Sequence, residues 1–392
     1  MGGMKRIYLD NAATTWPKPR GTARAVYDFM TNAGANAARG SALERDIRSL
    51  DLLFTARARI AKLFGGYGGA DPRYVTFTPN VTYALNTVLK GFLRERMRVV
   101  TTSMEHNSVL RPLRELQSNG CEVEILQCSL RGYLSPNSLR DAILRRKPDL
   151  AVMTHCSNVC GSIQPIEEAA EVCARFGVPL VVDCAQTGGI LPIDVQELGL
   201  AALCFTGHKG LYGPHGTGGI VWNSKFANIC APLAEGGTGS RSHEERQPSI
   251  MPDKFEAGTP NLPGIAGLCA SLAWIEETGI KNIAERERAL GLRLEEGLLR
   301  VPGLRMLGAT GEDARRLPVY AFNIDGHDNG MLARDLSDLY GIESRPGLHC
   351  SPLAHKTLGT FPKGALRLSP GYFNTEEEID YTISAIMELA KR

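Results

Sequence analysis

From about Tyr74 to Trp222, short β-branched and apolar runs alternate with stretches of helical periodicity. The runs predict strands at 74–77, 98–102, 122–126, 150–154, 179–183, 202–205 and 219–222. Helical patterns fall between them at 81–90, 109–118, 136–146 and 166–176. Strands that alternate with helices predict an α/β fold, a mainly parallel seven-stranded sheet covered on both faces. Ligands of such sheets collect beyond the carboxyl ends of the strands. The polar, glycine-rich stretch Ala234–Arg246 reads as a long loop.

Beyond it, helical patterns at 264–277, 282–299 and 329–339, strand-like runs at 319–324 and 365–368, and a closing helix from Thr375 predict a smaller α+β unit. Residues 17–263 are therefore expected to form the large domain. Residues 264–392, joined by 1–16, are expected to form the small one.

Composition changes this picture little. Hydrophobic residues make up 43% and charged residues 22% of the 392, with a net charge of +2. That balance gives no reason to invoke nucleic acid or an anionic membrane. No stretch approaches the roughly 20 apolar residues of a membrane span. The start lacks a signal-peptide core, and Gly2 is not followed by Ser or Thr at position 6, where Arg stands, so myristoylation is not expected. A cytoplasmic protein with reduced thiols is expected for the ten cysteines. Cys156 and Cys160 with His155 raise a metal site, but no second pair follows at a zinc spacing and none is expected.

Candidate chemistry gathers at the predicted strand ends. Leu180-Val-Val-Asp-Cys-Ala-Gln186 ends a strand in a carboxylate, and Cys204-Phe-Thr-Gly-His-Lys-Gly210 ends the next in a lysine-bearing turn. Such a pair suits pyridoxal phosphate, which needs an amine for its Schiff base and an anion for its pyridinium nitrogen. Alone, the turn reads equally as a strand-to-loop connection with a surface lysine. Asn80, Val81 and Thr82 open a helix after the first strand and offer an anion site, although Asn80 can simply cap that helix. Thr206 and His208 add phosphate donors. His106, in Ser103-Met-Glu-His-Asn-Ser108, can lie flat on a pyridine ring. Asn158 can hold a carboxylate or phenolic oxygen, and Gln186 can reach the same oxygen.

With the opening Tyr8-Leu-Asp-Asn-Ala-Ala-Thr-Thr15, these motifs resemble the class V aminotransferases, and within them the cysteine desulfurases and selenocysteine lyases. The resemblance runs along nearly the whole chain. It implies a fold-type I, pyridoxal-phosphate-dependent homodimer. It further implies Lys209 as the Schiff-base lysine, Asp183 as the pyridinium partner, His106 as the stacking ring and Gln186 at the phenolic oxygen. Asn80, Val81, Thr82, Thr206 and His208 then form the phosphate cradle, completed by Gly258 and Thr259 of the partner subunit. Asn158 and Arg367, with Arg345 beside them, form the substrate-carboxylate clamp, for which a planar guanidinium fork is suited.

Cys350, in Ser344-Arg-Pro-Gly-Leu-His-Cys-Ser-Pro352, falls where desulfurases carry the thiol that attacks the substrate's sulfur. Arg345 or His349 as neighbouring cations would favour its thiolate. The bland alternative is a loop cysteine beside a proline-bracketed turn. No long insertion surrounds it, which resembles the short-loop, SufS-like group. The implied reaction converts L-cysteine to L-alanine and leaves a persulfide on Cys350 for an acceptor protein, as in iron–sulfur cluster assembly. L-selenocysteine is an alternative substrate. The rivals are a selenocysteine lyase or another class V enzyme, a non-enzymatic sulfur or metal carrier, and a nucleotide-binding α/β protein, for which no glycine fingerprint is present. The segment Asn36–Ser41 lacks a histidine that SufS-like enzymes often carry, and the Gly236–Ser242 loop resembles a less well-defined branch.

Overall fold

The computed structural model describes residues 6–34, 36–37 and 43–392. Gly2, and the Asn36–Ser41 segment beyond Ala37, lie outside them. The strands are β1 (Ile7–Tyr8), β2 (Val75–Thr78), β3 (Arg98–Thr102), β4 (Glu122–Leu126), β5 (Leu150–Thr154), β6 (Leu180–Asp183), β7 (Ala202–Thr206), β8 (Gly218–Trp222), β9 (Leu304–Met306), β10 (Tyr320–Ile324), β11 (Ile342–Glu343), β12 (Arg345–Gly347) and β13 (Ala365–Leu368). The helices are α1 (Arg20–Asp28), α2 (Glu44–Leu63), α3 (Tyr67–Ala70), α4 (Val81–Phe92), α5 (Asn107–Ser118), α6 (Pro136–Arg145), α7 (Ile166–Phe176), α8 (Ser224–Ile229), α9 (Leu262–Thr278), α10 (Ile280–Leu298), α11 (Asn329–Tyr340), α12 (Pro352–Thr357) and α13 (Glu376–Leu389).

Seven strands form one sheet in the order β2-β8-β7-β6-β5-β3-β4. β8 is antiparallel to both its neighbours, so it alone runs against the other six. β3, β5, β6, β7 and β8 are buried along their whole length, as their continuous apolar runs require of a sheet covered on both faces. One face packs Ile60, Ile143, Cys173, Leu268 and Leu272 against Leu180 and Val182. The other packs Leu85, Val88, Val109 and Phe226 against Val99 and Val181.

A second sheet, β12-β13-β10-β9, is wholly antiparallel and is covered by Leu290, Leu294, Leu336, Ile379 and Ile386. The first residues of the chain join this unit. β1 pairs with β11 through Ile7↔Ile342, and Asp10 bridges to Ser369. The sequence pattern starts the small unit at residue 264, yet α9 packs on the large one. Its Leu262, Ile265 and Ala266 meet Phe29, Leu53 and Ala56, and its Leu268 and Leu272 enter the large core. The change of partners comes at Gly279, whose φ of 82° breaks α9 from α10.

The pattern also leaves α1 and α2 unassigned. No helix or strand lies between Ile229 and Asp253, where Gly236 donates to Gln247 (3.0 Å) and Gly258 to the Gly237 carbonyl (2.7 Å). Among the described residues, no helix is long and apolar enough to cross a membrane.

Candidate active site

Parallel strands deliver their carboxyl ends to one edge, and that is where the singled-out residues stand. β2 leads to Asn80, whose Oδ1 caps α4 by accepting from the Tyr83 amide at 2.9 Å. The cap leaves the amides of Val81 and Thr82, in the helix's first turn, for an outside anion. Because β8 runs backwards, its first residue, Gly218, lies at the same edge between Thr78 and Thr206. A Cβ on Gly218 would sit 2.8 Å from the Asn80 backbone, so only glycine leaves this cradle open. Thr206 ends β7, and His208 follows with its Nδ1 buried and unpartnered. Burial and the Lys209 charge push the His208 imidazole down to about 3, which keeps it neutral. Gly258 and Thr259 are exposed, and line a cavity of about 900 Å³ that also reaches Thr78, Pro79 and Gly218.

Lys209 follows in a turn pinned by the N-terminal segment. Thr14 Oγ1 and Lys18 Nζ donate to the His208 carbonyl (3.0 and 2.7 Å), and Thr15 Oγ1 to that of Lys209 (3.0 Å). Burial, opposed by the Asp183 charge and aided by Arg367 and Arg345, lowers the Lys209 amine to about 8. Asp183 ends β6, accepts the Ala185 amide at 2.9 Å, and is raised above the usual carboxylate range by its own burial. His106 caps α5, with Nδ1 accepting from the Ser108 amide at 3.0 Å. Its remaining proton therefore sits on Nε2, and burial followed by the Lys209 charge lowers the ring to about 4. Gln186 donates from Nε2 to the Ala12 carbonyl at 3.0 Å and shares a small cavity with Lys209.

Arg367 lies on β13 of the small unit and is almost wholly buried. It pairs with Asp10 and donates to the Asn158 carbonyl at 2.8 Å, while its Nε has no partner. Arg345 lies opposite it on β12. The Asn158 side chain is engaged with the cysteine loop. Its Nδ2 donates to the His349 carbonyl and its Oδ1 accepts from Ser351 Oγ, both at 2.7 Å. A third tie runs from the Asn107 amide to the Cys350 carbonyl at 2.9 Å. Cys350 is exposed; the other nine cysteines are buried or partly so. His349 is not the cation expected beside it. Burial and the Arg367 charge hold its imidazole down at about 3, so of the two expected neighbours only Arg345 brings charge.

Three groups escape the sequence reading. Glu105 is fully buried next to His106, accepting at Oε1 from Thr102 Oγ1 (2.6 Å) and the Thr154 amide (3.0 Å). Asp10 reaches its partner across 357 positions of sequence. Glu287 accepts from the Tyr212 hydroxyl at 2.7 Å behind the lysine turn. Only Glu105 carried a signal, a charged residue in an otherwise buried strand-end run.

The donor set fits pyridoxal phosphate. It supplies an amine already lowered toward neutrality, a buried carboxylate, an unpartnered imidazole nitrogen and a glycine-cleared helix N-terminus. The chain is 31% identical to a probable cysteine desulfurase of Methanothermobacter thermautotrophicus, over 98% of its own length and 94% of the relative's. A probable cysteine desulfurase of Pyrococcus abyssi is 32% identical, again over 98% and 94%. The apo structure of cysteine desulfurase from Thermococcus onnurineus NA1 superposes with a TM-score of 0.91 at 29% identity, covering 98% of this chain and 95% of that one. The S-sulfonic acid form of the cysteine desulfurase CsdA from Escherichia coli gives 0.87 at 27%, covering 98% and 94%. With the model of the family matching residues 7–382, this chain belongs to the class-V aminotransferases, and its architecture is that of the fold-type I enzymes dependent on pyridoxal phosphate.

Proposed function

We propose that the protein is a pyridoxal-phosphate-dependent cysteine desulfurase, converting L-cysteine to L-alanine with Cys350 as the sulfur carrier. The observation that carries this is the placement of one exposed thiol. Cys350 is tied by its own carbonyl to the residue after His106, and by its two neighbours to Asn158.

Asn80, Val81, Thr82, Thr206 and His208 would hold the cofactor's phosphate, and Lys209, Asp183, His106 and Gln186 its ring. When bound, pyridoxal phosphate supplies the electron sink that makes the substrate's α-proton removable. Arg367, steadied by Asp10 and the Asn158 carbonyl, clamps the substrate carboxylate with Arg345 close by. Lys209 takes the α-proton, as an amine near neutrality can do. Asp183 keeps a proton on the ring nitrogen. Cys350 Sγ attacks the substrate's sulfur: an S–S bond forms, the carbon–sulfur bond breaks, and its electron pair stays with the carbon fragment. Protonated by the ammonium that Lys209 became on taking the α-proton, that fragment leaves as alanine.

The cavity of about 900 Å³ beside Gly258 and Thr259, lined by both charged and apolar side chains and flanked by exposed Phe54, supports a homodimer in which these residues complete the partner's cradle. Ten unpaired cysteines support a cytoplasmic setting, and exposed Cys350 supports hand-off to an acceptor protein of iron–sulfur cluster assembly. The test incubates holoenzyme with L-cysteine, measuring alanine, sulfide and the mass of Cys350. Alanine with a persulfide on Cys350, lost in Cys350→Ser and Lys209→Ala, is expected. Turnover retained by Lys209→Ala would overturn the reading. Selenocysteine turnover that survives Cys350→Ser without cysteine turnover would reassign the substrate.

A further inference from the structure

Cys350 sits on an unusual backbone. Both it and His349 have positive φ, 58° and 51°, and neither is glycine. Two successive left-handed residues persist only where their surroundings over-determine them. Above the turn, Asn158 and Asn107 supply part of that constraint. Below it lies a chain of three hydrogen bonds whose two histidine side chains have no part in the proposed reaction. His349 Nε2 meets the Arg345 carbonyl at 3.0 Å, His349 Nδ1 meets His355 Nε2 at 3.1 Å, and His355 Nδ1 meets Thr360 Oγ1 at 2.8 Å. The two rings lie edge to edge, their centroids 5.3 Å apart and their planes inclined by 27°, and both side chains are buried.

The proton positions follow from one end. A carbonyl only accepts, so His349 Nε2 carries hydrogen, and a neutral ring then leaves Nδ1 as an acceptor. His355 Nε2 must therefore donate, and its Nδ1 must accept from the Thr360 hydroxyl. All three bonds run in one direction, from Thr360 in the loop after α12 to the strand that carries Arg345. Leucine at 355 would break two of them and leave His349 Nδ1 buried without a partner.

We propose that His355 is a positioning residue for sulfur transfer: through His349 it sets the left-handed turn that presents the Cys350 thiol. The proposal rests on the desulfurase reading. It assigns His355 to the S–S step rather than to α-proton exchange, because Lys209 and Asp183 stand on other elements and are hydrogen-bonded to the N-terminal segment and to Ala185.

The test compares wild type, His355→Leu, His355→Gln and Thr360→Val as holoenzymes. Glutamine places a donor where Nε2 stands, so it keeps the bond to His349. Three readouts are taken: exchange of the α-proton of L-alanine in deuterium oxide, persulfide formation on Cys350 with L-cysteine, and amide hydrogen exchange across residues 345–358. A displacement of about 1 Å at a reacting atom costs roughly 100-fold. His355→Leu is therefore expected to lose about 30- to 100-fold in persulfide formation, with α-proton exchange within about threefold of wild type. Thr360→Val should lose less, and His355→Gln should recover most of the rate. The 349–351 amides should exchange about tenfold faster in His355→Leu and not in His355→Gln.

Wild-type persulfide rates in His355→Leu, or equal losses in both reactions, would overturn the proposal. Should His355→Leu not fold, unaltered persulfide formation in Thr360→Val overturns it. If wild type exchanges the α-proton of alanine yet forms no persulfide, the desulfurase reading fails. The positioning claim is then decided by amide exchange alone and falls if His355→Leu leaves it unchanged.

Discussion

Replacing Glu105 by glutamine exchanges one carboxyl oxygen for an amide nitrogen in a pocket closed to water. The native carboxyl takes two hydrogen bonds at Oε1, while Oε2 is buried without a partner. Desolvation pushes the group up to about 8 from an ordinary 4.5, with the nearby Asp183 charge adding to the rise. Between these values the folded chain holds a proton that the unfolded chain has lost. The stability that this proton secures is complete below pH 4.5, declines as pH rises, and is gone once pH passes 8. Each pH unit in the window costs about 1.4 kcal/mol, giving up to about 5 kcal/mol across it. Glutamine has no such proton to lose. Wild type and Glu105→Gln should be nearly equal in stability near pH 5 and diverge in favour of the variant by about 1.4 kcal/mol per unit toward pH 8. Paired unfolding curves at matched pH measure this, because every other titrating group cancels in the difference. A difference that does not change with pH would refute the reasoning and place an ionised carboxylate in that pocket.

Gly218→Ala drives a methyl into the Asn80 backbone and should cost about 1–3 kcal/mol by overpacking. Because the displaced atoms open α4, cofactor retention should fall further than that of an equally destabilised variant elsewhere, as dialysis and absorbance will show. Arg367→Lys keeps the charge but loses the fork that reaches both Asp10 and the Asn158 carbonyl, so KM for L-cysteine should rise about tenfold or more, with Lys209 reactivity less affected. In the apoenzyme, Lys209 becomes a free amine as pH passes about 8, since burial disfavours its charged form. Reconstitution by pyridoxal phosphate should therefore quicken up to that pH and level off above it, read from the growth of visible absorbance.

The strands that bear the site were legible because each is a continuous apolar run ending in a polar cluster. Leu180–Asp183 and Ala202–Thr206 show this, and the turn to Lys209 follows directly. α2 escaped because its buried positions, among them Ser49, Arg57 and Ala61, are partly polar or small. Asp10 escaped for a different reason: a carboxylate near the start of a chain announces nothing until Arg367 folds against it. The neutral state of His349 was hidden likewise, since burial and a distant arginine decide it, while adjacency to Cys350 suggested the opposite. Local pattern reports which residues lie at a strand end; it does not report what closes over them.

The pairing of Asp10 with Arg367 has a consequence for the order of synthesis. Residues 7–10 leave the ribosome more than 300 residues ahead of their partners at 342–343 and 367–369. Large folding units generally form in the order in which they emerge. The lysine turn, held by Thr14, Thr15 and Lys18, can therefore assemble while Arg367 has yet to be made. The turn that carries Lys209 is in this order older than the contact that steadies Arg367, and the seam between residues 7–10 and 342–369 is the later of the two to close.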